Sequence, residues 1–200
     1  MDVLATLFGS ASKVKILKLF IFNPDRFIDA KEVSLKCKIA QKLANHDIAQ
    51  LEAMDFVKGK TIAVTSESKR KKGARVKIWR LNMFFPFIKE LKNILSHEVI
   101  DKKENIAKKF KDCGKIKLIV IAGVFLNSTE GRVDLAVVGD NLKKAAIDRA
   151  VRSIESELGR ELNYAIFSTD DFNDRLYSGD RFVRDILDFP HECVINKIGL

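Results

Sequence analysis

Cysteine, histidine, proline and tryptophan are all scarce in this 200-residue sequence, at three, three, three and one copies. Cys37, Cys113 and Cys193 lie far apart with no C-x-x-C pair, which excludes a disulfide framework and a zinc ribbon; each reads as a buried thiol. His46, His97 and His191 lack ligand spacing such as H-x-x-x-H, so no metal and no cofactor are expected. The longest apolar run, Leu118 to Val124, falls far short of the roughly 20 residues that a membrane-spanning helix needs. The opening Met-Asp-Val has no basic flank of the kind a signal peptide carries, so a cytoplasmic protein without membrane contact is expected. Neither an internal repeat nor a low-complexity tract is present beyond one basic loop. What remains is 46% hydrophobic and 32% charged, the mix of a folded chain long enough for one large domain or two small ones.

The charge is one-sided. Residues 1–90 carry 18 Lys and Arg against 9 Asp and Glu, whereas residues 91–200 carry 18 of each. The whole excess of +9 therefore belongs to the first half. Charge for solubility could sit anywhere; an excess confined to one half is what a polyanion-binding module joined to a neutral partner carries.

From Ala11 the apolar residues Val14, Ile16, Leu17, Leu19, Phe20 and Ile21 recur at helical spacing, and Asn23-Pro24 ends the run. Asp29 can cap a short second helix through Val33 and Leu35. A third helix is predicted from about Ala40 to Met54, with Ala44, Ile48 and Leu51 inward and Gln41, Lys42, Asn45, His46 and Gln50 outward. Two alternating segments, Val57 to Val64 and Arg75 to Leu81, flank a polar loop that holds Lys69, Arg70, Lys71 and Lys72: a hairpin with a basic tip. Pro86 suits the first turn of a helix striped by Phe87, Ile88, Leu91, Ile94 and Leu95, and a further helix reaches about Lys111. Beyond Gly114 the pattern changes to a buried strand (Ile116 to Gly123), a polar turn (Asn127 to Gly131) and a second strand (Arg132 to Val138). A helix (Lys143 to Leu158), a strand (Glu161 to Phe167) and a helix capped by Thr169 follow.

The order of helix, helix, turn, helix and two-stranded wing over Ala11 to Asn82 resembles the winged helix-turn-helix of archaeal and bacterial ArsR- and MarR-type regulators. Phe27 with Glu32-Val33 is similar to the second-helix pattern. Leu51-Glu-Ala-Met-Asp-Phe-Val57 resembles the L-E-x-x-G-L-V exit of the recognition helix, and Trp79-Arg-Leu-Asn82 resembles the Y-R-L-N end of the wing. Lys38 stands at the usual turn glycine and Ala40 replaces the usual Ser or Thr cap, so a frayed or shifted start of the third helix is expected. A helix fits the major groove, and amides such as Gln41, Asn45 and Gln50, with Lys42 and His46, can reach bases or phosphates there. Lys69, Arg70, Lys71, Lys72, Arg75 and Lys77 are the candidate backbone or minor-groove contacts.

The segment Lys117 to Phe172 resembles the small nucleotidyltransferases of the DNA polymerase beta superfamily. In that family a G-S turn holds phosphate and a D-x-D pair on the next strand holds Mg²⁺. Here Gly123 matches the glycine but Val124 replaces the serine, and Asp134 matches the second carboxylate but Arg132 replaces the first. A guanidinium cannot ligate a divalent cation and repels one, and Asn163, near the place of a third carboxylate, supplies no charge. The resemblance therefore implies the fold without the activity. Gly123, Arg132 and Asp134 remain candidates for holding a small anionic or nucleotide ligand without metal.

The sequence thus reads as an α+β protein: an N-terminal winged helix-turn-helix (1–84), a helical connector (85–113) and a C-terminal α/β nucleotidyltransferase-like domain with a mixed sheet (114–200). The expected function is non-catalytic regulation of transcription on double-stranded DNA by a homodimer, with the nucleotidyltransferase-like domain pairing subunits, sensing a ligand or both, and the connector helices as the candidate pairing surface. The alternatives are an active nucleotidyltransferase or an antitoxin of that class, whose basic half holds its substrate, and a DNA coater without sequence preference.

Overall fold

A computed structural model describes residues 3–64, 74–97, 103–126, 128 and 131–200. The chain is α+β and divides into two compact units, Met1–Leu95 with Glu155–Arg160, and Ser96–Ile154 with Glu161–Leu200. The division falls within the stretch read as a connector. Among the described residues, no helix is long and apolar enough to cross a membrane.

The first unit runs α1 (Val3–Leu7), α2 (Ala11–Ile21), β1 (Ile28–Asp29), α3 (Ala30–Cys37), α4 (Gln41–Ala53), β2 (Val57–Val64), β3 (Ala74–Leu81) and α5 (Ile88–His97). Helix α1 has no counterpart in the sequence reading, because five residues are too few to establish a period. Ser10 caps α2 by accepting from the Lys13 amide, and Asp29 caps α3 by accepting from the Glu32 amide at 2.7 Å, as its position predicts. The strands form one antiparallel sheet, ordered β1-β3-β2. Ile16, Phe20, Ile28, Val33 and Ile48 are fully buried where the helices meet this sheet. The stripe on α5 divides: Leu95 is buried, Ile88 and Leu91 are partly covered, and Phe87 and Ile94 face out. Pro86 lies just before the helix, whose first bond runs from the Leu91 amide to the Phe87 carbonyl.

The second unit contains α6 (Lys103–Lys109), β4 (Lys115–Ala122), a 3-10 turn (Gly123–Phe125), β5 (Leu135–Asp140) and, as far as Ile154, α7 (Lys144–Leu158). These are followed by β6 (Tyr164–Phe167), α8 (Thr169–Tyr177), α9 (Arg181–Asp188) and β7 (His191–Asn196). Its mixed sheet has the order β6-β5-β4-β7, with β5 and β6 parallel and the other pairs antiparallel. A parallel pair needs a crossover, and α7 supplies it. Leu135, Ala136, Val137 and Val138 are buried in succession, so β5 is covered on both faces.

Several local expectations are corrected. The second strand begins at Leu135 rather than Arg132, because the Asp134 amide is drawn to the Asn163 carbonyl at 2.7 Å. Ser168, not Thr169, caps α8, accepting from the Asp171 amide. Cys193 is exposed: it lies on β7, an edge strand that the sequence reading did not identify. Cys37 and Cys113 are buried, and burial pushes the Cys37 thiol up to about 12, which leaves it protonated and unreactive. The polar turn Asn127 to Gly131 lies partly outside the described residues.

The two departures in the turn before α4 have visible consequences. Lys38 adopts the left-handed conformation at φ 53° that glycine enters without cost, and Ala40 offers no side-chain cap to α4. Lys38→Gly and Ala40→Ser are each expected to raise stability, by up to about 1 kcal/mol. Chemical denaturation of the single and double variants checks this; a loss of stability in Lys38→Gly would contradict the assignment of strain to that residue.

Candidate nucleic-acid interface

Helix α4 is fixed from its inner face. Ala44 and Ile48 are fully buried and Leu51 is 1% exposed, and burying each of the two larger side chains stabilises by about 1.5–3 kcal/mol. Asp47 shares that face and is buried too; its Oδ2 accepts from Ser12 Oγ at 2.7 Å, and Ser12 in turn meets Ser10 Oγ at 3.0 Å. The sequence reading missed Asp47, although its position three residues after Ala44 and one before Ile48 signals the inner face.

With that face held, Gln41, Lys42, Asn45, His46 and Gln50 are all exposed. Gln41 Nε2 donates to Asn45 Oδ1 at 3.4 Å, and Gln50 Nε2 lies 3.0 Å from His46 Nε2. Both are solvent-exposed i,i+4 contacts, readily exchanged for bonds to another surface. The outward row thus presents amide, imidazole and ammonium groups along one helix.

On β3, Arg75 is exposed, but Lys77 is engaged: its Nζ is 2.7 Å from Glu52 Oε2 at the end of α4. The Lys77 ammonium holds the Glu52 carboxyl below the usual carboxylate range. The small stability this pair supplies is present above that range and is lost as pH falls through the lowered value. Gly59, paired with Trp79 across the hairpin, leaves room for the cluster; a Cβ there would stand 2.5 Å from Glu52 Oε1 and 2.9 Å from Trp79 Nε1. Lys77 is therefore a tie between α4 and the hairpin. Lys69, Arg70, Lys71 and Lys72 lie outside the described residues.

The hairpin also carries cations that the sequence reading omitted. Lys58 pairs across the strands with Arg80, and Lys60 Nζ and the Arg80 guanidinium stand 3.7 and 4.9 Å from the centre of the Phe27 ring. The alternation of Lys58 and Lys60 in β2 was a usable signal. The exit of α4 is closed by Asn82, buried at the end of β3: its Nδ2 donates to the Asp55 carbonyl at 2.8 Å and to Oδ2 at 3.0 Å. Asp55 holds φ 61° at the position where the resembling motif has glycine.

In the second unit, Gly123 and Asp134 come together while Arg132 is engaged elsewhere. Asp134 is 7% exposed; Oδ1 accepts from the Val124 amide and Oδ2 from the Asn163 amide, both at 2.9 Å. A Cβ on Gly123, at φ 51°, would collide with Asp134 Oδ1, so glycine is needed for this close approach. Arg132 Nε pairs with Asp185 Oδ2 at 2.7 Å. Among the described residues, no group of three or more His, Cys, Asp or Glu is placed to hold a metal. Asp134 works as a backbone clamp, joining the turn after β4 to the approach to β6.

Comparison with known protein families finds no model that matches this chain, and comparison with curated proteins finds no significant relative.

The clamp gives a clear expectation. Asp134→Ala leaves two backbone amides without their acceptor and should cost about 2–4 kcal/mol in the second unit, while Asp134→Asn, which keeps one acceptor, should cost less. Thermal unfolding compares the two; an Asp134→Ala variant as stable as the parent would overturn the structural role.

Proposed function

We propose that the first unit is a winged helix-turn-helix that binds double-stranded DNA, with α4 in the major groove and the basic hairpin against the sugar-phosphate backbone. The observation that carries this reading is the outward row Gln41, Lys42, Asn45, His46 and Gln50, on a helix whose opposite face is locked into a core. Its support is the +9 excess confined to residues 1–90 and the exposed hairpin cation Arg75. Amides read base edges and cations hold phosphates, so the two groups divide specificity and affinity between them.

The second unit is proposed to be a nucleotidyltransferase-like domain without catalysis. Support for this comes from Asp134, whose two oxygens both serve backbone amides, and from Arg132, whose Nε is ion-paired with Asp185. Metal-dependent consumption of labelled nucleoside triphosphate that disappears in Asp134→Asn would favour the enzyme or antitoxin reading instead.

A homodimer completes the proposal, because one such helix covers a short half-site. Phe84 is 92% exposed in the turn before α5, and Phe87 and Ile94 are exposed beyond it, an apolar patch suited to pairing two copies of the chain. Phe84→Glu with Phe87→Glu is expected to convert a dimer to a monomer in sedimentation; a parent that already sediments as a monomer defeats the pairing.

For DNA itself, replacing Lys69, Arg70, Lys71 and Lys72 by Ala should weaken binding on all sequences and flatten the slope of log K against log salt by about 3–4. Asn45→Ala and Gln41→Ala should instead lower the preference for a selected site, by about 1–3 kcal/mol each, with little change on random DNA. Equal losses on selected and random duplexes would contradict base reading by α4.

A further inference from the structure

The neutral half of the chain, residues 91–200, gathers five of its eleven lysines at one place. Lys115 and Lys117 open β4, and the Lys197 amide, just past β7, donates to the Lys117 carbonyl at 2.8 Å, which sets these two residues side by side. Lys108 near the end of α6 and Lys111 just beyond it complete the rim of a groove of about 750 Å³. Ile116 and Ile195 contribute to its apolar lining, and a register shift between Ile116 and Leu118 interrupts the β4 ladder there.

Only Lys117 is neutralised, by Asp140 at 3.2 Å; Lys108, Lys111, Lys115 and Lys197 make no ion pair with another described residue. Gathering like charges around one groove costs stability unless an anion relieves the repulsion. Lys115 and Ala122 are seven residues apart along β4, roughly 23 Å at the rise of a strand. The groove is thus at the other end of the sheet from Gly123 and Asp134.

The form of the groove selects its occupant. A small-molecule pocket encloses its ligand and offers fixed polar groups. Here the four unpaired ammonium-bearing residues are exposed, and the one aromatic residue in the lining, Phe110, is fully buried and offers no face for stacking. Cations on flexible stems in solvent gain most from a polyanion, whose bound counterions they release, and they demand no particular sequence.

We infer that this groove is a second, sequence-independent contact for the phosphodiester backbone of nucleic acid, carried by the half of the chain with no net charge. The inference rests on the nucleic-acid binding proposed for the first unit. The groove would add affinity without altering the sequence that α4 selects.

The test uses the full chain and fluorescence anisotropy over a salt series, on a random duplex and on a random single strand. A variant with Gln at Lys108, Lys111, Lys115 and Lys197 is compared with one carrying Arg at the same four positions and with the Lys69 to Lys72 alanine variant. The Gln variant is expected to melt like the parent and to flatten the duplex salt slope by about 3–4, the single-strand slope by about 3 if that is the backbone held; the Arg variant should keep the parent slope. An unchanged slope on both probes in the Gln variant, while the hairpin variant is impaired, overturns the groove and leaves the DNA reading of the first unit intact. A parent that binds neither probe overturns the DNA reading itself, and the groove with it. If calorimetry shows that the Gln substitutions abolish binding of inorganic pyrophosphate and leave both nucleic-acid slopes unchanged, the groove is a small-anion site and the inference is wrong.

Discussion

Ala44, Ile48 and Leu51 hold α4 in the first core, and the buried Asp47 carboxylate, bonded to Ser12 of α2, fixes the rotation of that helix about its axis. Three apolar side chains alone would tolerate some rolling, because dispersion contacts have little directionality. A carboxylate that must keep its hydrogen bond does not, since turning it away from Ser12 would leave charge buried without a partner. The outward positions of Gln41, Asn45 and Gln50 follow from that constraint. The Glu52–Lys77 pair over Gly59 and the Asn82–Asp55 bonds then tie the far end of α4 to the hairpin, so helix and strands form one surface.

The second unit applies a carboxylate in a similar way. Asp134 belongs to a sequence pattern that resembles a metal-binding strand, yet its two oxygens clamp the amides of Val124 and Asn163. With two backbone amides donating to it, Asp134 is part of the backbone framework of this unit. Arg132 itself finds Asp185 in α9, a helix absent from the sequence reading.

Much of the fold was legible because it depends on short-range rules. The extent of α2, the Asp29 cap of α3, the inner face of α4, the hairpin strands and α7 are all set by periodicity and local hydrogen bonding. α9 and β7 were not identified: α9 is only eight residues long, although Phe182, Val183, Ile186 and Leu187 stand at helical spacing, and β7 is an edge strand whose pairing with β4 joins residues 69 to 78 positions apart. The same limit explains Cys193, exposed because its strand is at an edge, and the Ser168 cap, one residue away from the equally plausible Thr169.

By itself the sequence determined the charge asymmetry and the outward polar row of α4. These are properties of neighbours along the chain, and composition and helical period express them directly. Only the tertiary structure decided which of the candidate groups are engaged: Lys77 by Glu52, Arg132 by Asp185, and Asp134 by two amides. It alone brought Lys108, Lys111, Lys115, Lys117 and Lys197 to one groove. An ion pair or a cluster between distant residues has no period to reveal it, because long-range partners are fixed by how helices and strands pack rather than by spacing in the chain.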